Sequence, residues 1–108
     1  MGKTGLSARR RGHAFERDIV NILKELGYNA TTSRYSSREL DDAKVDIDTD
    51  FPFHIQAKYV ERMSVPVHDL LKSMPDDKPC AVLHKRSNKG VVVSLTLEDF
   101  LRTFKNAK

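Results

Sequence analysis

The chain predicts a single α/β layer domain on a mixed sheet, in the order α-β-β-β-α-β-β-α. Three observations predict it. An apolar stripe at helical spacing runs through residues 11–26, period-two alternation marks residues 53–60, and a further helical segment separates that strand from two more short apolar runs. At 108 residues the chain has the length of one domain.

Each element has its own signal. Residues 1–10 are rich in Gly, Lys and Arg without periodicity, and are expected as a mobile basic arm ahead of a domain spanning residues 11–108. Phe15, Ile19, Ile22, Leu23 and Leu26 then share one helix face, and Gly27 stops the helix as a C′ glycine. Residues 28–33 alternate as a strand, and the polar stretch 34–44 is expected as a loop. Val45-Asp46-Ile47-Asp48 forms a short strand, with Asp50-Phe51-Pro52 as the turn that follows. In residues 53–60, Phe53, Ile55, Ala57 and Tyr59 face one way, and His54, Gln56, Lys58 and Val60 the other. A helix is expected near 66–74, with Pro66 early in it. Strands at 80–84 and 91–95 flank the turn Asn88-Lys89-Gly90. Thr96 and Asp99 give the start signal of a last helix, which is expected to carry Leu97, Phe100, Leu101 and Phe104 inward.

Composition narrows the function classes. One cysteine, Cys80, excludes an intrachain disulfide and a cysteine-based zinc cluster; with His84 it makes at most half a metal site, and a small buried residue is the simpler expectation. No apolar run reaches the roughly 20 residues of a membrane span, and no signal-peptide core is visible before Phe15, so a reducing, cytoplasmic setting is expected. The net charge is +4, and residues 1–17 hold all of the excess: Lys3, Arg9, Arg10, Arg11 and Arg17 against Glu16 alone. A basic segment of this kind is the footprint of a polyanionic partner, nucleic acid first, or else a solvated terminus.

Three places carry polar residues that a plain core would not choose. Glu16 borders the apolar stripe of the first helix, Asp46 stands between Val45 and Ile47, and Gln56 and Lys58 leave the same strand face about 7 Å apart. A short turn between the two strands predicts an antiparallel hairpin that sets Asp46 beside Gln56. Oxygen ligands from Glu16, Asp46 and Gln56 suit a hard cation such as Mg²⁺, which keeps several waters and accepts phosphate oxygen. Such an ion polarises a phosphodiester and acidifies a bound water, and Lys58 is placed to orient or deprotonate that water, or to stabilise developing charge. Asp48 is a rival ligand on the same strand face, expected instead to cap the turn at Thr49-Asp50.

The run Arg11-Gly12-His13-Ala14-Phe15-Glu16-Arg17, then Ser36-Ser37, Val45-Asp46-Ile47 and Ile55-Gln56-Ala57-Lys58 resembles the PD-(D/E)xK nucleases, and among them the small archaeal-type Holliday-junction resolvases. The likeness spans residues 10–60. It implies a restriction-endonuclease-like three-layer fold, with a central mixed sheet flanked by helices. It also implies a prokaryotic or viral Mg²⁺-dependent enzyme of DNA recombination and repair, with Mn²⁺ as a substitute ion, acting as a homodimer on four-way or other branched DNA. Glu16, Asp46 and Lys58 match the helix glutamate, the metal aspartate and the catalytic lysine, and Ser36 and Ser37 match a serine loop that serves the site and DNA. Arg9, Arg10, Arg11, Arg17, Arg34, Arg38 and Lys44 are expected as phosphate contacts, which position a protein on DNA without reading its sequence.

Two positions depart from the pattern. Val45 replaces the proline, and Gln56 replaces the second acid, giving a ligand without charge and a weaker hold on metal. Three other functions therefore stand beside the first: a nicking, restriction-like or transposase-subunit nuclease of the same fold, a DNA-binding accessory protein with a dead site, and a basic RNA-binding domain.

Overall fold

A computed structural model describes residues 3–105, with side chains from Ser7 onward. Helix α1 (Lys3–Glu25) leads into strand β1 (Ala30–Thr32), followed by the short helices α2 (Ser33–Ser36) and α3 (Arg38–Asp42). Strands β2 (Ile47–Thr49) and β3 (His54–Tyr59), helix α4 (Val67–Ser73), strands β4 (Cys80–Lys85) and β5 (Val92–Ser94), and helix α5 (Leu97–Lys105) complete the chain. None of the described helices is long and apolar enough to cross a membrane.

The sheet is divided. β1 and β2 pair antiparallel with Ala30 opposite Thr49 and Thr32 opposite Ile47. β3 runs parallel to β4, with His54 opposite Cys80 and Tyr59 opposite Lys85, and β5 returns antiparallel, with Val82 opposite Ser94. A parallel pair needs a crossover, and α4 supplies it. β3 alternates as expected. Ile55, Ala57 and Tyr59 join Phe15, Ile19, Val20 and Leu23 of α1 in one core cluster, while Val82, Cys80 and Val45 pack with Leu70, Leu71 and Met74 on the α4 side. Helices thus cover both faces of a mixed three-stranded sheet, with the antiparallel pair at its margin.

α1 begins far earlier than the periodicity predicts: residues 3–10, expected as an arm, are its first turns, while Met1 and Gly2 lie outside the described residues. Ala8 and Arg9 to Arg11 are good helix formers, and extending a nucleated helix costs far less than starting one. Its end follows expectation. The Tyr28 N–H donates to the Leu23 carbonyl and the Gly27 N–H to the Lys24 carbonyl, a Schellman closure that holds Gly27 at φ +98°. A Cβ there would meet nothing within 4 Å, so the cost of Gly27→Ala is conformational alone. It is expected to lower unfolding stability by about 1–2 kcal/mol in urea titrations.

Other expectations fail for physical reasons. Ile22 and Leu26 are exposed, and Val20 is buried in their place, because α1 crosses the sheet on the Phe15–Ile19–Leu23 line. The polar stretch 34–44 is largely helical: Ser37 caps α3 by accepting the Leu40 N–H at 3.2 Å, a local signal that polarity alone hides. The hairpin of β2 and β3 shrinks to a single backbone rung, from the Asp46 N–H to the Ile55 carbonyl at 2.8 Å. Asp48 does not cap the turn. Thr49 Oγ1 accepts the Phe51 N–H, and Asp50 takes both N–H groups of Asn29, backbone and side chain. Thr96 accepts the Asp99 N–H as expected at the start of α5, yet Leu97, Phe100, Leu101 and Phe104 point outward, 45–71% exposed. Asp99 sets that orientation by accepting the Cys80 N–H at 3.1 Å, and Arg102 holds its other oxygen.

Candidate functional site

The seam between β2 and β3 is built around Asp46. Its N–H donates to Ile55, its carbonyl accepts from the Ser33 N–H at 2.9 Å, and its Oδ2 accepts the Ala57 N–H at 2.8 Å. A side-chain carboxylate thus takes the donor that a ladder carbonyl would otherwise satisfy, and two successive groups of one strand fix the acid in place. Burial pushes the Asp46 carboxyl up to about 6, against the opposing pull of the Ala57 bond. The negative charge of Glu16 pushes the same way, and the positive charge of Lys58 opposes it. The charges of Glu16 and Lys58 thus both act on Asp46.

Glu16 arrives by packing. Phe15, the neighbouring residue, is buried edge-on against Tyr59 with ring centroids 6.1 Å apart, which pins this turn of α1 over β3. Glu16 Oε1 accepts Arg34 Nε at 3.1 Å. Burial opposes the Arg34 charge, yet its bonds to Glu16 and Tyr35 together hold its pKa above the ordinary value. The guanidinium also lies 4.9 Å from the Tyr35 ring centroid.

Gln56 follows Ile55 and precedes Ala57, the two residues whose backbones grip Asp46. It is only 6% exposed, and its Oε1 has no hydrogen-bond partner among the described residues. An unpartnered buried acceptor costs about 1–3 kcal/mol, so a donor or a cation at that oxygen would be favoured. Ser33 Oγ is the second such atom, on a fully buried residue bonded through its backbone to Asp46. Lys58 stands opposite His84 in the parallel ladder, and His84 Nε2 meets Ser94 Oγ at 2.8 Å.

The other expected residues divide. Ser36 bonds Asp48 Oδ2 at 2.8 Å and the Thr32 carbonyl, which ties its hydroxyl to the β1–α2 corner. Ser37 is occupied as a helix cap. Arg34, expected on phosphate, donates to Glu16. Arg9, Arg10, Arg11 and Arg17 are exposed along α1, with Arg11 lying 5.5 Å from the Tyr59 ring centroid. Arg38 is exposed beside Asp42, and Lys44 is exposed with φ +68°, in the left-handed turn that feeds Val45 into the core.

Sequence reasoning missed Ser33, the engagement of Arg34, and His84 as the neighbour of Lys58. None had a local signal, because each depends on which strand lies alongside. In donor type the expected ligands Glu16, Asp46 and Gln56 suit a hard cation, since all offer oxygen, although Glu16 is engaged by Arg34. No group of three or more His, Cys, Asp or Glu side chains suited to a metal occurs among the described residues. In comparison with known proteins, no family model, curated protein or solved structure matches the chain.

Proposed function

We propose that this chain is a metal-dependent endodeoxyribonuclease that hydrolyses phosphodiester bonds in branched DNA, with the four-way junction as its preferred substrate. The observation that carries the reading is the half-buried Asp46 carboxylate, held by the Ala57 N–H and flanked by the charges of Glu16 and Lys58. Glu16, Asp46 and Gln56 would hold Mg²⁺, or Mn²⁺ in its place, and the ion would supply charge neutralisation at the phosphate and a more acidic water. The backbone of β3 holds Asp46 at both its N–H and its carboxylate. Lys58 contributes a positive charge on the same side and hydrogen bonds to a phosphate oxygen or the attacking water. Arg34 must release Glu16, or turn on its stack with Tyr35, for Glu16 to join the set. The exposed arginines of α1, with Arg38 and Lys44, grip the DNA backbone. Two copies would provide one cut each on two strands.

A second reading has its own observation in support. Arg34 already neutralises Glu16, and Gln56 brings no charge, which suits a DNA-binding protein of the same architecture without catalysis.

Single-turnover cleavage of a labelled four-way junction and its matched duplex, in Mg²⁺, Mn²⁺ or EDTA, separates the two. Paired metal-dependent cuts confined to the junction are expected, with Lys58→Ala slower by about 100-fold or more and Gln56→Glu active at lower Mg²⁺. Cuts in the duplex alone would assign a nicking or restriction-like nuclease. Tight junction binding without cuts in any metal, restored to cleavage by Gln56→Glu or not, would assign the binding protein.

A further inference from the structure

Two apolar surfaces stand exposed among the described residues, one a ridge and the other a groove. The first is the outer face of α5, where Leu97, Phe100, Leu101 and Phe104 are 45–71% exposed. Phe100 and Phe104 pack edge to face with centroids 5.0 Å apart, so the face is a preformed ridge. The second is a groove of about 750 Å³ between α1 and the sheet. Ile22 and Leu26 form its helix wall, and Phe53, Leu83, Val91 and Val93 its floor and far side. Ile22, Leu26, Val91 and Val93 are about half exposed or more, so the groove is open.

The helix does not fill the groove of its own chain. Asp99 ties the start of α5 to the Cys80 N–H at the head of β4, and in that orientation the ridge faces away. We propose that the ridge of α5 docks into the α1–sheet groove of a second copy, and that the two copies exchange these helices reciprocally about a twofold axis.

Charge and area both favour a second copy as the occupant. Asp18 and Glu25 lie on the α1 rim of the groove and Lys85 on the opposite rim, while α5 carries Glu98 near its start and Lys105 at its end. A helix crossing with Lys105 toward α1 and Glu98 toward Lys85 would meet opposite charges at both rims. From the fractional exposures, ridge and groove together offer on the order of 800 Å² per copy, so the reciprocal exchange covers roughly 1,600 Å², the size of a standard stable interface. About a twofold axis each copy gives its ridge to the copy whose ridge it receives, so the contact closes at two copies and leaves no free apolar face to recruit a third. An apolar patch of this extent left in water would be a liability for a monomer. The surface stands on packing alone and holds whether or not the Asp46 site cleaves DNA.

Sedimentation equilibrium of the full chain between roughly 1 and 100 µM tests it, in the affinity range expected of such an area. The wild type is expected at twice the 12.3 kDa chain mass. Ile22→Glu in the groove, and separately Phe104→Glu or Leu101→Lys on the ridge, are expected to weaken self-association at least a hundredfold. All three positions are exposed in the single chain, so far-UV circular dichroism at low concentration should match the wild type. A wild type that stays monomeric at the highest concentration overturns the proposal, since α5 would then be covering its own groove or none. A dimer that survives the groove variant and both ridge variants assigns another surface and equally overturns it. Mass that grows without limit with concentration would refute the closed twofold exchange.

Discussion

Replacing Asp46 by asparagine is expected to stabilise the metal-free protein at neutral pH and, under the nuclease reading, to abolish cleavage. The carboxyl is pushed up to about 6 from 3.8, chiefly by burial, so the folded state binds a proton more readily than the unfolded chain. Stability from that protonated form is fully present below about pH 4 and is lost as pH rises through 6. At pH 7 the ionised group therefore costs the fold about 3 kcal/mol relative to its neutral form. Asparagine stays neutral and keeps an oxygen for the Ala57 N–H. In EDTA at pH 7 the variant should be more stable in urea by about 2–3 kcal/mol, with a midpoint temperature higher by on the order of 10 °C. The gap should shrink as pH falls from 6 and close near 4. Asp77, whose pKa is lowered first by its bond to His54, runs the other way with pH, but it is common to both proteins and cancels in the difference. A variant less stable than wild type at pH 7 would mean that the carboxylate is satisfied as it stands and does not await a cation. Added Mg²⁺ should stabilise only the wild type.

Phe15→Ala is expected to be the most damaging single truncation, at about 3–5 kcal/mol. Phe15 is 3% exposed, and it joins the α1 stripe to β3 through Tyr59 and Ile55. Much of a small domain's total stability would go with it, since such domains hold only about 5–15 kcal/mol. Urea denaturation of the two proteins measures the loss. Because Phe15 sets the turn that carries Glu16, Phe15→Leu is the informative companion. It should restore most of the stability, and any loss of Mg²⁺ binding that persists would report the placement of Glu16.

The buried strand and the site acid were legible for a common reason: both are written in short-range patterns. Period two over residues 53–60 placed Ile55, Ala57 and Tyr59 on one core face, and the interruption of apolar residues by Asp46 and Gln56 marked groups with unusual surroundings. The Gly27 corner was equally local. What escaped depends on partners distant in sequence. Ile22 and Leu26 fit the helical stripe as well as Val20 does, and only the line on which α1 crosses the sheet decides among them. The outward turn of α5 follows from one bond between Asp99 and Cys80, which no periodicity contains. Arg34 looked like a loop cation because Glu16, its partner, lies eighteen residues away on another element. The parallel pairing of β3 with β4 likewise appears only once α4 has crossed over.

That crossover has a kinetic consequence. β1, β2 and α1 meet through connections of modest length, but β3 gains its ladder partner only after the chain has passed through α4 and returned at Cys80. Pairings closed across such a separation form late, because the entropy of closing the loop is spent before any contact repays it. Asp46 hangs on the backbone of that same strand, so its seat is complete only when β3 is. The cost of burying its charge then falls on the nearly finished fold. Early folding species, in which this carboxylate is still hydrated, escape it, and so ionised Asp46 slows refolding less than it speeds unfolding.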